Sequence, residues 1–220
     1  MTKIFETADG SHSIYSEQFG VSYHSKYGAI QETQHVFIDA GLGLKAILQP
    51  KIDILDIGFG TGLNALMTCL EAQKRNLTIH YTAVEAFPIS LETVQSLNYG
   101  EVLKEETVND IFLKMHEANW GETIHITEHF IFTKLKSKFQ KLTFQSAYDV
   151  VYFDAFAPSA QPELWEIPVL KIMYDALRPT GVLTTYCAKG EVKRTMKAIG
   201  FGIERLPGPP GKREMTRATK

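Results

Sequence analysis

One stretch limits the possible folds of this chain most sharply: Ile52-Asp53-Ile54-Leu55-Asp56-Ile57-Gly58-Phe59-Gly60-Thr61-Gly62-Leu63-Asn64. A short apolar run, typical of a parallel strand buried on both faces, passes directly into three glycines at alternate positions. An amphipathic helix follows, with Leu63, Leu66, Met67 and Leu70 on one face. Glycines allow a tight turn and close approach of backbone to a ligand. The free N–H groups and positive dipole end of the helix then point at that ligand. The stretch therefore predicts a cofactor site at the carboxyl end of a first strand.

Around it, apolar runs and helical periods alternate. A helix is expected from about Thr33 to Leu48, with Val36, Ala40, Leu44 and Ile47 inward and Pro50 beyond its end. Strands follow at 52–57 and 78–84, then a helix opened by Pro88. The third strand is 123–126, or 130–135, or a hairpin of both. The fourth is Tyr148 to Phe153 and the fifth Val182 to Tyr186, after the turn Arg178-Pro179-Thr180-Gly181. A helix from about Gly190 to Ile199 precedes a closing pair of strands, 201–206 and 214–218. Strict alternation predicts an α/β, doubly wound, mostly parallel sheet of seven strands with an antiparallel last strand. Residues 1–50 read as an amino-terminal β-hairpin and helix extension, and 51–220 as the catalytic domain.

The composition, 44% apolar and 22% charged, suits a packed globular core. Net charge is −2, but residues 187–220 carry nine Lys/Arg against three acids, a net of +6. That excess fits a nucleic-acid footprint or a solvated helix face with a charged tail. Cys69 and Cys187 stand far apart without metal spacing, pointing to a reducing compartment and structural roles. No secretory leader or membrane span is visible, so a cytoplasmic protein is expected. His24 and His35 read as structural, with no metal expected. Tyr15 and Tyr23 read as core or lid packing, and Trp165 as packing.

The glycine loop has two registers. Gly60-x-Gly62-x-x-Ala65, with Glu85 some twenty residues on, matches a dinucleotide fingerprint. Asp56-Ile57-Gly58-Phe59-Gly60-Thr61-Gly62 matches an S-adenosylmethionine (SAM) loop, and no hydride-transfer constellation follows it. A carboxylate at Glu85 can accept hydrogen bonds from ribose hydroxyls in either case. Asp56 orients the loop or meets the cofactor's amino acid part, and Asp53 is exposed or paired. At the end of strand four comes Phe153-Asp154-Ala155-Phe156-Ala157-Pro158. A carboxylate placed there can hold a substrate amine in line with a methyl donor and accept its proton. Phe156 can stack on a base or belong to the core.

These pieces together resemble a family. Gly58-Phe59-Gly60-Thr61-Gly62-Leu63-Asn64, Val84-Glu85-Ala86-Phe87-Pro88, Phe153 to Pro158 with Pro162-Glu163-Leu164-Trp165, Leu177-Arg178-Pro179-x-Gly181 and Gly211-Lys212-Arg213-Glu214-Met215 are similar to the methyltransferase domain of the tRNA 5-methylaminomethyl-2-thiouridine enzymes (MnmC) and their stand-alone relatives. The entry segment Gly28-Ala29-Ile30-Gln31-Glu32-Thr33 also fits. The resemblance implies a class I, Rossmann-like SAM-dependent N-methyltransferase acting on the aminomethyl group of the wobble uridine of tRNA. It implies SAM contacts from Asp56, Gly58, Phe59, Gly60, Thr61, Gly62, Asn64, Glu85 and Ala86. Asp154 becomes the catalytic carboxylate, and Phe156, Ala157, Pro158, Lys212 and Arg213 meet the substrate. Open alternatives are a small-molecule amine methyltransferase, an NAD(P)-dependent oxidoreductase and a non-catalytic RNA-binding protein.

Two departures from the family pattern stand out. These 220 residues leave no length for the family's oxidoreductase domain, so methylation alone, or work with a separate oxidoreductase, is expected. The acid that reads the adenine amino group after strand three is missing. Lys134-Leu135-Lys136-Ser137-Lys138-Phe139 stands in its place. With Lys141, these lysines serve RNA or a solvated turn.

Overall fold

The computed structural model describes residues 2–105 and 107–220. Three short strands, β1 (Thr2–Glu6), β2 (His12–Ser16) and β3 (Val21–Ser22), form an antiparallel sheet of their own. A continuous helical rod follows: α1 (Ala29–Thr33), a π-helical segment (Gln34–Leu42) and α2 (Gly43–Ala46). The wider π turn advances less rotation per residue than an α turn. Val36 and Ala40 are buried as expected, and Phe37, Ile38 and Leu42 are buried beside them. Ile47, expected inward, is 83% exposed.

The main domain alternates as its sequence pattern predicts. It comprises β4 (Lys51–Ile57), α3 (Leu63–Lys74), β5 (Thr78–Glu85), α4 (Leu91–Gln95), α5 (Tyr99–Leu103), α6 (Val108–Glu117), β6 (Thr123–Thr127), β7 (Phe130–Lys136), β8 (Tyr148–Phe153), α7 (Ile167–Ala176), β9 (Leu177–Thr185), α8 (Gly190–Ile199), β10 (Gly202–Pro207) and β11 (Glu214–Thr219). The sheet order is β10-β11-β9-β8-β4-β5-β7-β6. β4 pairs in parallel with β5 and β8, and β11 lies antiparallel to β9, as expected for the last strand. The sheet has eight strands rather than seven, because β6 and β7 form the hairpin left open by the sequence.

Two further boundaries moved. The helix after β5 begins at Ser90, whose hydroxyl accepts from the Thr93 N–H, and not at Pro88. The expected Arg178–Gly181 turn is absorbed into β9 as an irregularity, between its pairings Tyr148↔Leu177 and Val150↔Val182.

Every residue of β8 is buried, and two apolar layers flank the sheet. One layer packs the helical rod, α3 and α6. The other packs α7 and α8. The strands' carboxyl ends thus open between the layers, at the reversal between β4 and β8, where ligands bind in such sheets.

Candidate functional site

The glycine loop is shaped by contacts that leave no room for side chains. Gly58 has φ +99°, and a Cβ on it would lie 2.8 Å from the Asp154 carbonyl oxygen. Gly62, in the left-handed region at φ +80°, would place a Cβ 2.6 Å from His116 Nε2. Gly58 and Phe59 donate their N–H groups to the Val84 carbonyl, and the Asp154 N–H donates to Ile57. The loop is thereby fastened to the ends of both β5 and β8.

Thr61 is held from three sides. Tyr99 donates its hydroxyl to Thr61 Oγ1 at 3.1 Å, and His24 Nε2 lies 3.5 Å from the same atom. His116 Nε2 lies 3.0 Å from the Thr61 carbonyl. A carbonyl only accepts, so that ring nitrogen carries the proton. Burial keeps both His24 and His116 neutral, with pKa values lowered to about 4. His24 also meets Ser13, which ties the amino-terminal sheet to the loop.

A cavity of about 260 Å³ opens over this loop. Of the sequence-predicted residues, Gly58, Phe59, Gly60, Thr61, Asn64, Glu85, Ala86, Asp154 and Phe156 line it. Glu85 is buried, its Oε2 accepting from the Gly60 N–H at 3.0 Å and its Oε1 from the Phe87 N–H at 2.8 Å. A carboxylate offers about four acceptor sites, so two remain for a ligand diol. Asp154 Oδ2 accepts from Asn64 Nδ2 at 2.9 Å. Desolvation, then the nearby Glu32 charge, raises the Asp154 pKa to about 7, against the lowering effects of Asn64 and Lys212.

Phe156 meets Tyr23 edge-on at 5.0 Å and Phe19 at 5.0 Å, and Phe19 meets Phe87 at 5.4 Å. These rings roof the cavity. Burial and the Glu85 charge push the Tyr23 phenol up to about 12. Tyr15 is exposed and takes no part in the roof.

Other predicted residues lie elsewhere. Asp56 is fully buried behind the loop, and Tyr81 donates to its Oδ2 at 2.8 Å. Desolvation raises its pKa well above the ordinary carboxylate range, against the lowering effect of the Tyr81 hydroxyl. Gly62 caps α3 and does not line the cavity. Ala157, Pro158, Lys212 and Arg213 line a neighbouring groove of about 580 Å³ with Lys189. Lys212 ion-pairs with buried Glu32 and lies 3.9 Å over the Tyr186 ring.

Sequence reasoning missed Phe19, Phe87, Gln140 and Glu163, all at the cavity. The Pro162-Glu163-Leu164-Trp165 motif was the available signal for Glu163. Of the four lysines after strand three, Lys138 reaches the cavity. Lys134 is buried, donating to the His116 carbonyl and lying 4.7 Å over Trp120. Trp165 packs as expected, 4% exposed. His35 meets the Pro207 carbonyl. Cys69 and Cys187 are buried, and burial pushes the Cys69 thiol up to about 12. Among the described residues no cluster suits a metal, and no helix is long and apolar enough to cross a membrane.

A fastened glycine loop at a helix N-terminus, a strand-end carboxylate with spare acceptor sites and a second acid across the cavity together fit a nucleoside carrying a cationic group. The family model of S-adenosyl-L-methionine-dependent methyltransferases matches residues 101–220, and the chain belongs to that family. It is a SAM-dependent enzyme of class I fold. Among particular relatives, it is 29% identical over 93% of its length to the tRNA 5-methylaminomethyl-2-thiouridine biosynthesis bifunctional protein MnmC of Delftia acidovorans. It is 30% identical over 92% of its length to the protein of the same name from Aromatoleum aromaticum. The chain spans about a third of the length of these relatives (33% of each). The crystal structure of MNMC2 from Aquifex aeolicus superposes with a TM-score of 0.80 at 24% identity, covering 99% of this chain and 69% of that one.

Proposed function

We propose that this chain methylates the nitrogen of a 5-aminomethyl group on the wobble uridine of tRNA. Asp154 at the cavity wall, with its pKa about 7, is the observation that carries the reading. The names of the MnmC relatives support the choice of acceptor. Bound SAM supplies an electrophilic methyl group on a sulfonium. Glu85 takes the ribose diol, and the glycine loop with the α3 N-terminus takes the amino acid end. The Gln140 carboxamide replaces the absent acid beside adenine.

Asp154 accepts a proton from the acceptor ammonium and holds the freed amine in line. The amine lone pair forms the N–CH3 bond while the C–S bonding pair stays with the departing thioether. The product leaves as the secondary ammonium, and Asp154 releases the proton it took to solvent before the next turnover. Phe156 covers the uracil, and Arg213 and Lys189 in the neighbouring groove meet backbone phosphates. The aminomethyl precursor comes from an oxidoreductase activity outside these 220 residues. Such a reaction belongs in the cytoplasm, with tRNA.

The test incubates the protein with labelled SAM and tRNA from cells lacking this gene, then identifies the modified nucleoside after digestion. Label in 5-methylaminomethyluridine or its 2-thio form is expected. Label confined to small amines, with tRNA unmodified, overturns the choice of acceptor.

A further inference from the structure

One hydrogen-bond chain leads from the amino-terminal helix to the cavity acid. Thr33 closes α1 where the π segment begins, and it is 1% exposed. Its hydroxyl donates to Asn64 Oδ1 at 3.0 Å. The ionised Asp154 carboxylate only accepts, so it selects the amide nitrogen and leaves the amide oxygen to the Thr33 hydroxyl, which holds that orientation. Asn64 Nδ2 is thereby turned toward Asp154 Oδ2 at 2.9 Å. Asn64 is itself anchored in the first turn of α3, and Thr68 donates to its carbonyl at 2.7 Å.

The residue before Thr33 serves the same region differently. Glu32 Oε2 accepts from the Ser25 N–H, and its Oε1 pairs with Lys212 of the β10–β11 loop. Thr33 does not line the cavity, so it has no direct contact with a ligand there.

We propose that Thr33 and Asn64 are positioning residues for Asp154: the hydroxyl locks the amide, and the amide pins one carboxylate oxygen so that the other faces the methyl acceptor. This assigns Asn64 chiefly to the acid rather than to the cofactor, and it rests on the catalytic reading of Asp154. The chain crosses from the amino-terminal helix to β8 through α3. It makes the amino-terminal segment part of the catalytic apparatus. An amide donor favours the ionised carboxylate. Losing its fixed direction therefore raises the Asp154 titration midpoint as well as loosening its aim.

The charged and titratable groups facing Asp154 are Glu32, Lys212, Asp56, Tyr81 and Tyr186. All are kept in the test variants. Thr33→Val removes the hydroxyl with little change of shape, and Thr33→Ser retains it. Carbon-13 NMR of the Asp154 carboxyl follows its midpoint in the free protein, with no methyl acceptor present. The expected result is an upward shift of roughly 0.5–1 unit in Thr33→Val and none in Thr33→Ser. With tRNA as acceptor, kcat falls about 5–10-fold in Thr33→Val while KM for SAM stays within about twofold. Adding Thr33→Val to Asp154→Asn costs nothing further, since the two act as one unit.

An unmoved midpoint in Thr33→Val, or losses that multiply in the double variant, overturns the proposal. If Thr33→Val does not fold, Asn64→Ala is titrated in its place, and an unmoved midpoint there overturns it equally. A shifted midpoint in a protein that methylates no tRNA upholds the positioning chain and overturns the tRNA reading instead.

Discussion

Asp154 stands between opposed influences: burial and the Glu32 charge hold its proton on, while the Asn64 amide and Lys212 draw it off. The balance near pH 7 is what a base working on an amine at neutral pH needs. Only the ionised carboxylate accepts a proton, so methylation should decline as pH falls through about 7 in single-turnover assays across pH 6–9. Asp154→Asn should lower kcat by about 100-fold or more while leaving SAM affinity, measured by calorimetry, within a few-fold. Stability should move the other way. The folded pKa lies above the ordinary carboxylate value of 3.8. Ionisation therefore destabilises the fold increasingly from about pH 4 to pH 7, and fully above it. Asp154→Asn should be more stable than wild type at pH 8 by a figure of order 2 kcal/mol, reduced by whatever solvent the cavity admits, and show no such gain near pH 3.5. Urea denaturation at the two pH values measures the sign.

The glycine loop ties three elements to one another, because the backbones of β4, β5 and β8 meet at Gly58. Adding one methyl there strains φ +99° and drives a Cβ into the Asp154 carbonyl. Gly58→Ala should cost about 1–3 kcal/mol of stability and weaken SAM binding at least tenfold, read by thermal melts and calorimetry. A variant with wild-type affinity would show that the loop does not need this approach. The loop and the strands were legible in the sequence because both signals are local: an apolar run, then glycines, then a helical period. Asp154 was legible because its motif directly follows β8. The helix after Thr33 was legible as well, with Val36 and Ala40 buried, but its π segment and the outward Ile47 just past α2 were not. Nor was the aromatic roof, which joins Phe19, Tyr23, Phe87 and Phe156 from three separate stretches. The expected substrate role of Lys212 could not reveal its tie to Glu32, 180 residues earlier in the chain.

Across the whole molecule, charge is sorted between the two ends of the sheet. At the end away from the cavity, Arg178 donates to Asp53 and Asp149 at 2.8 and 2.9 Å, joining β9 to β4 and β8. The family motif around Arg178 thus serves architecture. Arg178→Ala leaves two acids facing each other and should cost about 1–3 kcal/mol in urea denaturation, with SAM affinity of the folded fraction retained. At the cavity end, the basic excess of the last 34 residues is only partly free to meet a polyanion. Lys193 pairs with Glu214, Lys212 with Glu32 and Arg217 with Glu204, while Lys189 has only a loose, exposed pairing with Glu191 at 3.8 Å. Arg213 and Lys189 are exposed in the groove beside Ala157 and Pro158, next to the cavity roof. An RNA strand laid there would reach the cavity with its phosphates on these two side chains. Each phosphate contact contributes close to one unit to the slope of log affinity against log salt, slightly less on single strands. Arg213→Ala and Lys189→Ala should therefore each weaken tRNA binding, and each should flatten that slope by about 0.7–0.9. SAM affinity should stay unchanged in both, because neither residue lines the cavity. Filter binding of tRNA from 50 to 300 mM salt gives the slopes. Identical slopes for both variants and wild type would move the RNA path to another face of the protein.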